Sequence, residues 1–155
     1  MAYQTLVFYN LGAAVGRDAP NHFSDVMLIE ALLGILGRGW SMANWKEMAK
    51  QGGVEGFANV TEPPKITGRF KPELQAWIDV FLLFDKKTAR DGRIDPVKDE
   101  RGSIGVERGG RTTSLYNLSR NAAFTNASEY MKIGDRLGLK VNLGDKGISL
   151  TRLFA

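Results

Sequence analysis

The 155-residue sequence contains no cysteine and a single histidine, and each scarcity removes a class of chemistry. Without cysteine the chain has no disulfide, no thiolate metal site and no thiol nucleophile. A Ser-His-Asp triad or a histidine-rich metal site would have to use His22. Because His22 follows Pro20 and Asn21, just before an amphipathic segment, we interpret it as a loop residue and not as a catalytic or metal-binding group.

Long runs of one charge sign and long apolar runs are also missing. The net charge of +4 gives a mild attraction to polyanions, but no run of five or more Lys and Arg indicates a nucleic-acid-binding tail. No apolar run approaches the roughly 18 residues of a membrane span. Met1-Ala2-Tyr3-Gln4 lacks the basic and apolar regions of a secretory signal. We therefore expect no nucleic-acid partner and no membrane partner, and a cytoplasmic location at synthesis.

What is present is the composition of an ordinary globular domain, 43% hydrophobic and 25% charged. This length predicts one domain over residues 1–155. The fold class that the pattern predicts is mainly α, a compact helical core of about five helices. A short strand at residues 5–9 precedes this core, and a C-terminal β-hairpin at residues 139–150 follows its last helix.

The helix after Pro72 carries the clearest pattern. Leu74, Trp77, Ile78 and Phe81 recur at helical spacing and form one wide apolar face. Proline suits the first turn, where its missing amide would have no intrahelical partner. The sequence therefore predicts that Trp77 and Phe81 are core residues.

Caps and stop signals predict the other helices. The first would begin after Ser24, with Phe23 and Leu28 as a hydrophobic staple, and would end at Gly37. The others are predicted at residues 41–51, 112–122 and 126–138, with Ser41, Thr112 or Thr113, and Asn126 as caps. Residues 56–65 are predicted to form a loop, and residues 86–111 a long surface excursion whose part 97–110 is mobile or ordered only by a partner.

Three segments, in this order, resemble the peptidoglycan-binding-like family of three-helix modules. Val15-Gly16 and then Asp25-Val26-Met27-Leu28-Ile29-Glu30-Ala31-Leu32-Leu33 resemble the family's first helix, where Asp-Val-x-x-Val/Ile-Gln-x-Leu-Leu is usual. The stretch from Ile66-Thr67-Gly68-Arg69 to Phe81 is similar to its Asp-Gly turn and second helix. Asp91-Gly92-Arg93-Ile94-Asp95-Pro96, followed by Gly109-Gly110-Arg111-Thr112, resembles its closing motif. The resemblance covers about residues 15–118 and leaves residues 126–155 as a C-terminal helix and hairpin.

The chain departs from the family pattern at several positions. Thr67 replaces the usual Asp, and Glu30 stands where Gln is common. Leu74 replaces Thr, Leu82 replaces Gln, and residues 97–108 look inserted. The segment at residues 34–65 between the first two matched helices is also long.

The resemblance implies a non-enzymatic module that binds cell-wall glycan or peptide and needs no cofactor. Without a signal, such a module would reach the wall as part of a phage or secretion particle, or after lysis. Its partner would be peptidoglycan or a protein of that particle. The ligand-binding residues we predict, all in or near the matched turns, are Arg69, Lys71, Arg93, Asp95, Arg111 and Tyr116.

Two alternatives remain open on the sequence. The chain is a structural adaptor of a phage tail or secretion particle that binds protein only, or it is a small cell-wall hydrolase. A hydrolase would need paired carboxylates, for which Glu30 and Asp79 are the candidates. The aromatic residues Trp40, Trp45 and Tyr116 suit sugar stacking, although core packing is the better interpretation for Trp45.

Overall fold

A computed structural model describes residues 7–84, 91–97, 114–138 and 148–149. Within these residues the α-helices are α1 (Phe23–Arg38), α2 (Met42–Gly52), α3 (Pro72–Phe84), α4 (Ser114–Thr125), α5 (Ala127–Met131) and α6 (Ile133–Leu137). A 3₁₀ helix spans Glu55–Asn59, and the strands are β1 (Val7–Phe8), β2 (Val15–Gly16), β3 (Arg93–Ile94) and β4 (Ile148–Ser149). The predicted mainly helical class is confirmed.

Helix α1 is the centre of the core. Its residues 28–37 are all buried, and it packs against α3, α4, α5 and α6. Among the described residues no single helix is long and apolar enough to cross a membrane. Helices α1 and α2 pass that test only as a pair, which is bent by 109° at its break.

The predicted ends of α1 are wrong by one or two residues. His22, not Ser24, is the N-cap, and it makes no side-chain capping bond. Phe23 is 61% exposed, so it does not form the predicted staple with the buried Leu28. At the other end the helix passes through Gly37, which packs closely against Trp77, and stops at Gly39.

The second layer of the core is aromatic. Trp77 packs edge-on against Trp45 and Phe57, with ring centroids 5.3 and 4.8 Å apart. Trp77, Phe81 and Trp45 are all at most 2% exposed, as predicted. Helix α2 begins at the predicted cap, where the Ser41 side chain accepts a hydrogen bond from the Asn44 amide. The segment predicted as a loop after α2 contains most of the 3₁₀ helix.

Two short antiparallel strand pairs lie on the helical core. Strand β1 pairs with β4, and β2 pairs with β3, placing Val15 opposite Ile94. The predicted N-terminal strand is therefore confirmed. In the predicted hairpin, residues 148–149 do form a strand, and they pair with β1; the other strand and the turn lie outside the described residues.

Residues 91–97 contradict the prediction that residues 86–111 form a surface excursion. Ile94 is fully buried and Val97 is 7% exposed. The Asn10 side chain fixes Val97 by donating to its carbonyl and accepting from its amide, both at 2.9 Å. This segment is therefore part of the core. Residues 86–90 and 98–111 of the predicted excursion, and the predicted cap at Thr112 or Thr113, lie outside the described residues.

The single helix predicted at residues 126–138 is wrong, because the chain forms two short helices with a break at Lys132, although the predicted cap and stop residues are correct. The Asn126 side chain caps α5 by accepting from the Glu129 amide, and Gly138 ends α6 in the left-handed conformation. Tyr9 ties these helices to the N-terminal segment, because its hydroxyl donates to the Met131 carbonyl and accepts from the Gly134 amide, each at 3.1 Å.

Candidate functional site

The buried carboxylate of Glu30 fixes the turn that enters α3. Glu30 projects from α1 and is 4% exposed. Its Oε1 accepts hydrogen bonds from the amides of Thr67 and Gly68, at 2.8 and 2.6 Å, and its Oε2 accepts one from the Thr67 hydroxyl at 2.7 Å. Gly68 has a φ of 76°, the left-handed region that favours glycine. The turn is therefore held rigidly against α1.

Arg69 and Lys71 lie directly after this turn and share one small cleft of about 140 Å³. Both side chains are exposed, and the Arg69 amide is held by the Thr67 hydroxyl at 3.1 Å. Within the described part of the chain neither cation has a carboxylate at ion-pair distance, whereas the neighbouring Lys65 pairs with Glu62 at 3.4 Å. The cleft therefore presents Arg69 and Lys71 as cations without a carboxylate at ion-pair distance among the described side chains, on a lining that also contains Lys65 and the acidic residues Glu30, Glu62 and Glu73.

Arg93 and Asp95 lie in another place, on and just after β3. Arg93 stays close to Asp91, with 3.9 Å between Nε and Oδ2, and Asp95 is exposed. The Gly92 carbonyl holds the start of β3 by accepting from the Arg17 amide at 3.0 Å and from the Gln75 side chain at 2.9 Å. Neither Arg93 nor Asp95 lines the cleft of Arg69 and Lys71.

Of the two remaining predicted ligand residues, only Tyr116 lies within the described residues, and it adds little exposed surface. Tyr116 lies in α4 and is 9% exposed, which leaves almost none of its ring for stacking on a sugar. Arg111 lies outside the described residues. Of the six predicted residues, the structure thus brings Arg69 and Lys71 together in one cleft and places Arg93 and Asp95 along a neighbouring strand.

Sequence reasoning missed a larger cleft of about 460 Å³ beside α3. Its polar wall is a network in which Arg17 pairs with Asp79 at 3.3 Å and the Gln75 amide donates to Asp79 at 2.9 Å. Gln75 and Asp79 are one helical turn apart, which is a weak sequence signal. Arg17 comes from a strand pairing that the sequence did not predict, so the network could not be assembled from the sequence.

The carboxylates considered for hydrolysis have separate partners. Asp79 contacts Arg17 and Gln75, and Glu30 contacts the turn at Thr67. Asp25, the other buried carboxylate, accepts from the amides of Gly12 and Ala13 at 2.9 and 3.1 Å. Among the described residues, no three His, Asp or Glu side chains are grouped so as to hold a metal ion.

The chain was compared with protein-family models, curated proteins and solved structures, and none of them matches it.

Proposed function

We propose that this protein is a non-enzymatic binding module of the peptidoglycan-binding-like type, and that it contacts cell-wall polymer through Arg69 and Lys71. The observation that carries the proposal is that two departures from the family pattern touch each other. Glu30 stands where Gln is common, and Thr67 stands where Asp is usual. The Thr67 hydroxyl donates to the Glu30 carboxylate at 2.7 Å.

The contact means that the two departures compensate. An amide at position 30 would be able to donate to a carboxylate at position 67, and here a carboxylate at position 30 accepts from a hydroxyl at position 67. Either combination pairs one carboxylate with one hydrogen-bond donor between positions 30 and 67. A hydrogen bond to a charged group is worth about 1.5–3 kcal/mol. The contact supports counting these two departures as one paired exchange, so they weigh less against the resemblance than two independent ones would.

Contacts among the three resembling segments also support the proposal. Val15 and Gly16 of the first segment pair with Ile94 and Arg93 of the third. Glu30 of the first segment holds the turn of the second, and Gln75 of the second donates to Gly92 of the third. Segments that are far apart in sequence thus form one structural unit, as modules of one family would require.

The ligand chemistry follows from the cations at the entry to α3. Stem peptides of cell-wall polymer carry carboxylates, which a guanidinium can bind through two parallel hydrogen bonds and an ammonium as a point charge. The turn fixes the backbone at Arg69 before a ligand arrives, so the ordering cost of binding falls on the two exposed side chains.

Glu30 and Asp79 are better explained as structural groups than as catalytic acids. Every carboxylate oxygen of both residues accepts at least one hydrogen bond from the protein. A cell-wall hydrolase would need carboxyl groups that face its substrate. Clearing of a cell-wall suspension by the purified protein would contradict this assignment.

Co-sedimentation with insoluble peptidoglycan tests the proposal. At low salt, where charge attraction is least screened, the wild-type protein should pellet with the polymer. Arg69→Ala with Lys71→Ala should abolish this and leave the melting temperature nearly unchanged, since exposed charges contribute little stability. Arg120→Ala with Lys132→Ala removes the same charge from α4 and from the junction of α5 and α6, and should still pellet. If the wild-type protein does not pellet, the glycan proposal fails.

A further inference from the structure

A second cleft, also of about 460 Å³, lies between α2 and the 3₁₀ helix. Most of its lining is apolar and comes from Ala49, Val54, Phe57 and Ala58. Lys46 and Lys50 stand on one wall, and Glu55 stands at the rim. None of these residues belongs to the Arg69 and Lys71 cleft, so the inference does not depend on the proposed function.

The two lysines form an unneutralised pair. They are four residues apart on α2 and therefore lie on one face of the helix, where like charges repel. Among the residues that the structure describes, no carboxylate lies at ion-pair distance from either ammonium group. Glu47, between them in sequence, accepts instead from the Gln51 side chain at 3.1 Å. A bound carboxylate would relieve the repulsion.

The apolar cleft adjoins the Arg17 and Asp79 cleft, with which it shares the lining residues Gly53, Val54 and Glu55. The two adjoining clefts make up the groove, which is lined by α2, the 3₁₀ helix and α3. Its charges change along its length, from Lys46 and Lys50 at one end to the Arg17 and Asp79 pair at the other. A long groove with an apolar floor and mixed rim charges suits an extended peptide better than a uniformly anionic surface.

We propose that this groove is a docking site for an acidic peptide segment of a partner protein. An apolar side chain of the peptide lies against Val54 and Ala58, and the buried Ala49 and Phe57 back the cleft behind them. Carboxylates beside it in the peptide bind Lys46 and Lys50. The volume falls within the roughly 300–1,000 Å³ of typical ligand pockets, which is enough for one or two large apolar side chains.

The test is an NMR titration of the labelled full chain with three hexapeptides at up to millimolar concentration. The acidic probe is Glu-Leu-Glu-Glu-Leu-Glu. Its matched controls are Lys-Leu-Lys-Lys-Leu-Lys, which reverses the charge, and Glu-Ser-Glu-Glu-Ser-Glu, which removes the apolar groups. We expect saturable shifts at the amides of Ala49, Val54 and Ala58 with the acidic probe, and affinity at least about tenfold weaker for either control.

Variants locate the contact. Lys46→Glu with Lys50→Glu should abolish the shifts, and Ala58→Trp should do the same by filling the cleft from an exposed position. Lys65→Glu with Lys132→Glu makes the same change in net charge elsewhere and should bind like the wild type. The melting temperature of each variant shows whether it has folded.

Three results would overturn the proposal. The first is no shift in the cleft with the acidic probe. The second is equal binding of the basic or the serine peptide. The third is co-sedimentation with phosphatidylglycerol vesicles that is lost in Lys46→Glu with Lys50→Glu while the peptide leaves the cleft unperturbed, which would assign the groove to a lipid surface.

Discussion

At the scale of single residues, Glu30 has the largest structural consequence. Three donors from one turn converge on a carboxylate that projects from the central helix. Removing the carboxylate would leave the buried Gly68 amide without a partner, and an unsatisfied buried group costs about 1–3 kcal/mol. The order of the turn that precedes Arg69 and Lys71, the proposed ligand contacts, therefore depends on Glu30.

A double-mutant cycle tests whether Glu30 and Thr67 compensate for each other. Thr67→Asp alone should destabilise the protein, because it places a second carboxylate against Glu30. Glu30→Gln together with Thr67→Asp introduces the combination that is usual in the family the sequence resembles, and should recover most of the loss. We expect a coupling free energy of about 1–3 kcal/mol from urea unfolding. Additive effects of the two substitutions would show that they are independent.

Trp77 should contribute more stability than any exposed aromatic residue. It is 2% exposed and contacts Trp45 and Phe57. Trp77→Ala should therefore lower the free energy of unfolding by about 3–5 kcal/mol. Trp40→Ala is the matched control, since Trp40 is 40% exposed and should cost much less. Equal unfolding midpoints for Trp77→Ala and the wild type would contradict the core assignment.

At the scale of elements, the sequence predicts helices well and strands poorly. Helix α3 follows from its apolar period and Pro72, which are local signals. The predicted start of α1 after Ser24 is wrong. Serine has a local preference for the cap position, but in the fold the Asp25 carboxylate accepts hydrogen bonds from the distant amides of Gly12 and Ala13. Strand β3 was placed in a surface excursion because a two-residue strand carries no alternation and its partner is distant in sequence.

The pairing of β2 with β3 gives an element-scale prediction. Gly16 has a φ of 133°, and a Cβ there would lie 2.2 Å from the Gly92 carbonyl oxygen. Gly16→Ala should therefore open the strand pair and cost more than about 2 kcal/mol. Gly53→Ala is the control, because its φ of 75° is also left-handed but a Cβ there meets nothing within 4 Å.

Thermal unfolding of the two variants separates the clash from the backbone strain. Gly53→Ala should lose only about 1 kcal/mol, the cost of the left-handed conformation alone. Equal melting temperatures for Gly16→Ala and Gly53→Ala would mean that the strand pair adapts to the added methyl group.

At the scale of the whole molecule, distance along the chain decides which part of the site was predictable. Arg69 and Lys71 were predicted because they adjoin a local turn-and-helix pattern. The network of Arg17, Gln75 and Asp79 was not predicted, because Arg17 reaches α3 only when β2 pairs with β3. Tyr116 was predicted to stack on a sugar ring, but it is only 9% exposed and lies in α4, which packs against α1.

The contact between Tyr9 and Tyr130 joins the N-terminal segment to α5, and it predicts alkaline sensitivity. Their rings lie 5.3 Å apart at the centroids. Burial raises the pKa of Tyr130, and the nearby Tyr9 adds to the shift. Burial also raises the pKa of Tyr9, although the hydrogen bond from the Gly134 amide opposes this. Both phenols are therefore held protonated in the folded state.

The sign of the pH dependence follows from these raised values. Below the unfolded-state pKa of about 10, both states keep the phenol protons and the stabilisation is fully present. Above it the unfolded chain loses protons that the fold retains, so the free energy of unfolding falls by up to about 1.4 kcal/mol per pH unit for each buried tyrosine. Tyr130→Phe should make this decrease less steep, by up to about 1.4 kcal/mol per pH unit. The measurement is the free energy of urea unfolding between about pH 9 and pH 11. Parallel profiles for Tyr130→Phe and the wild type would show that Tyr130 ionises as easily in the fold as in the unfolded chain.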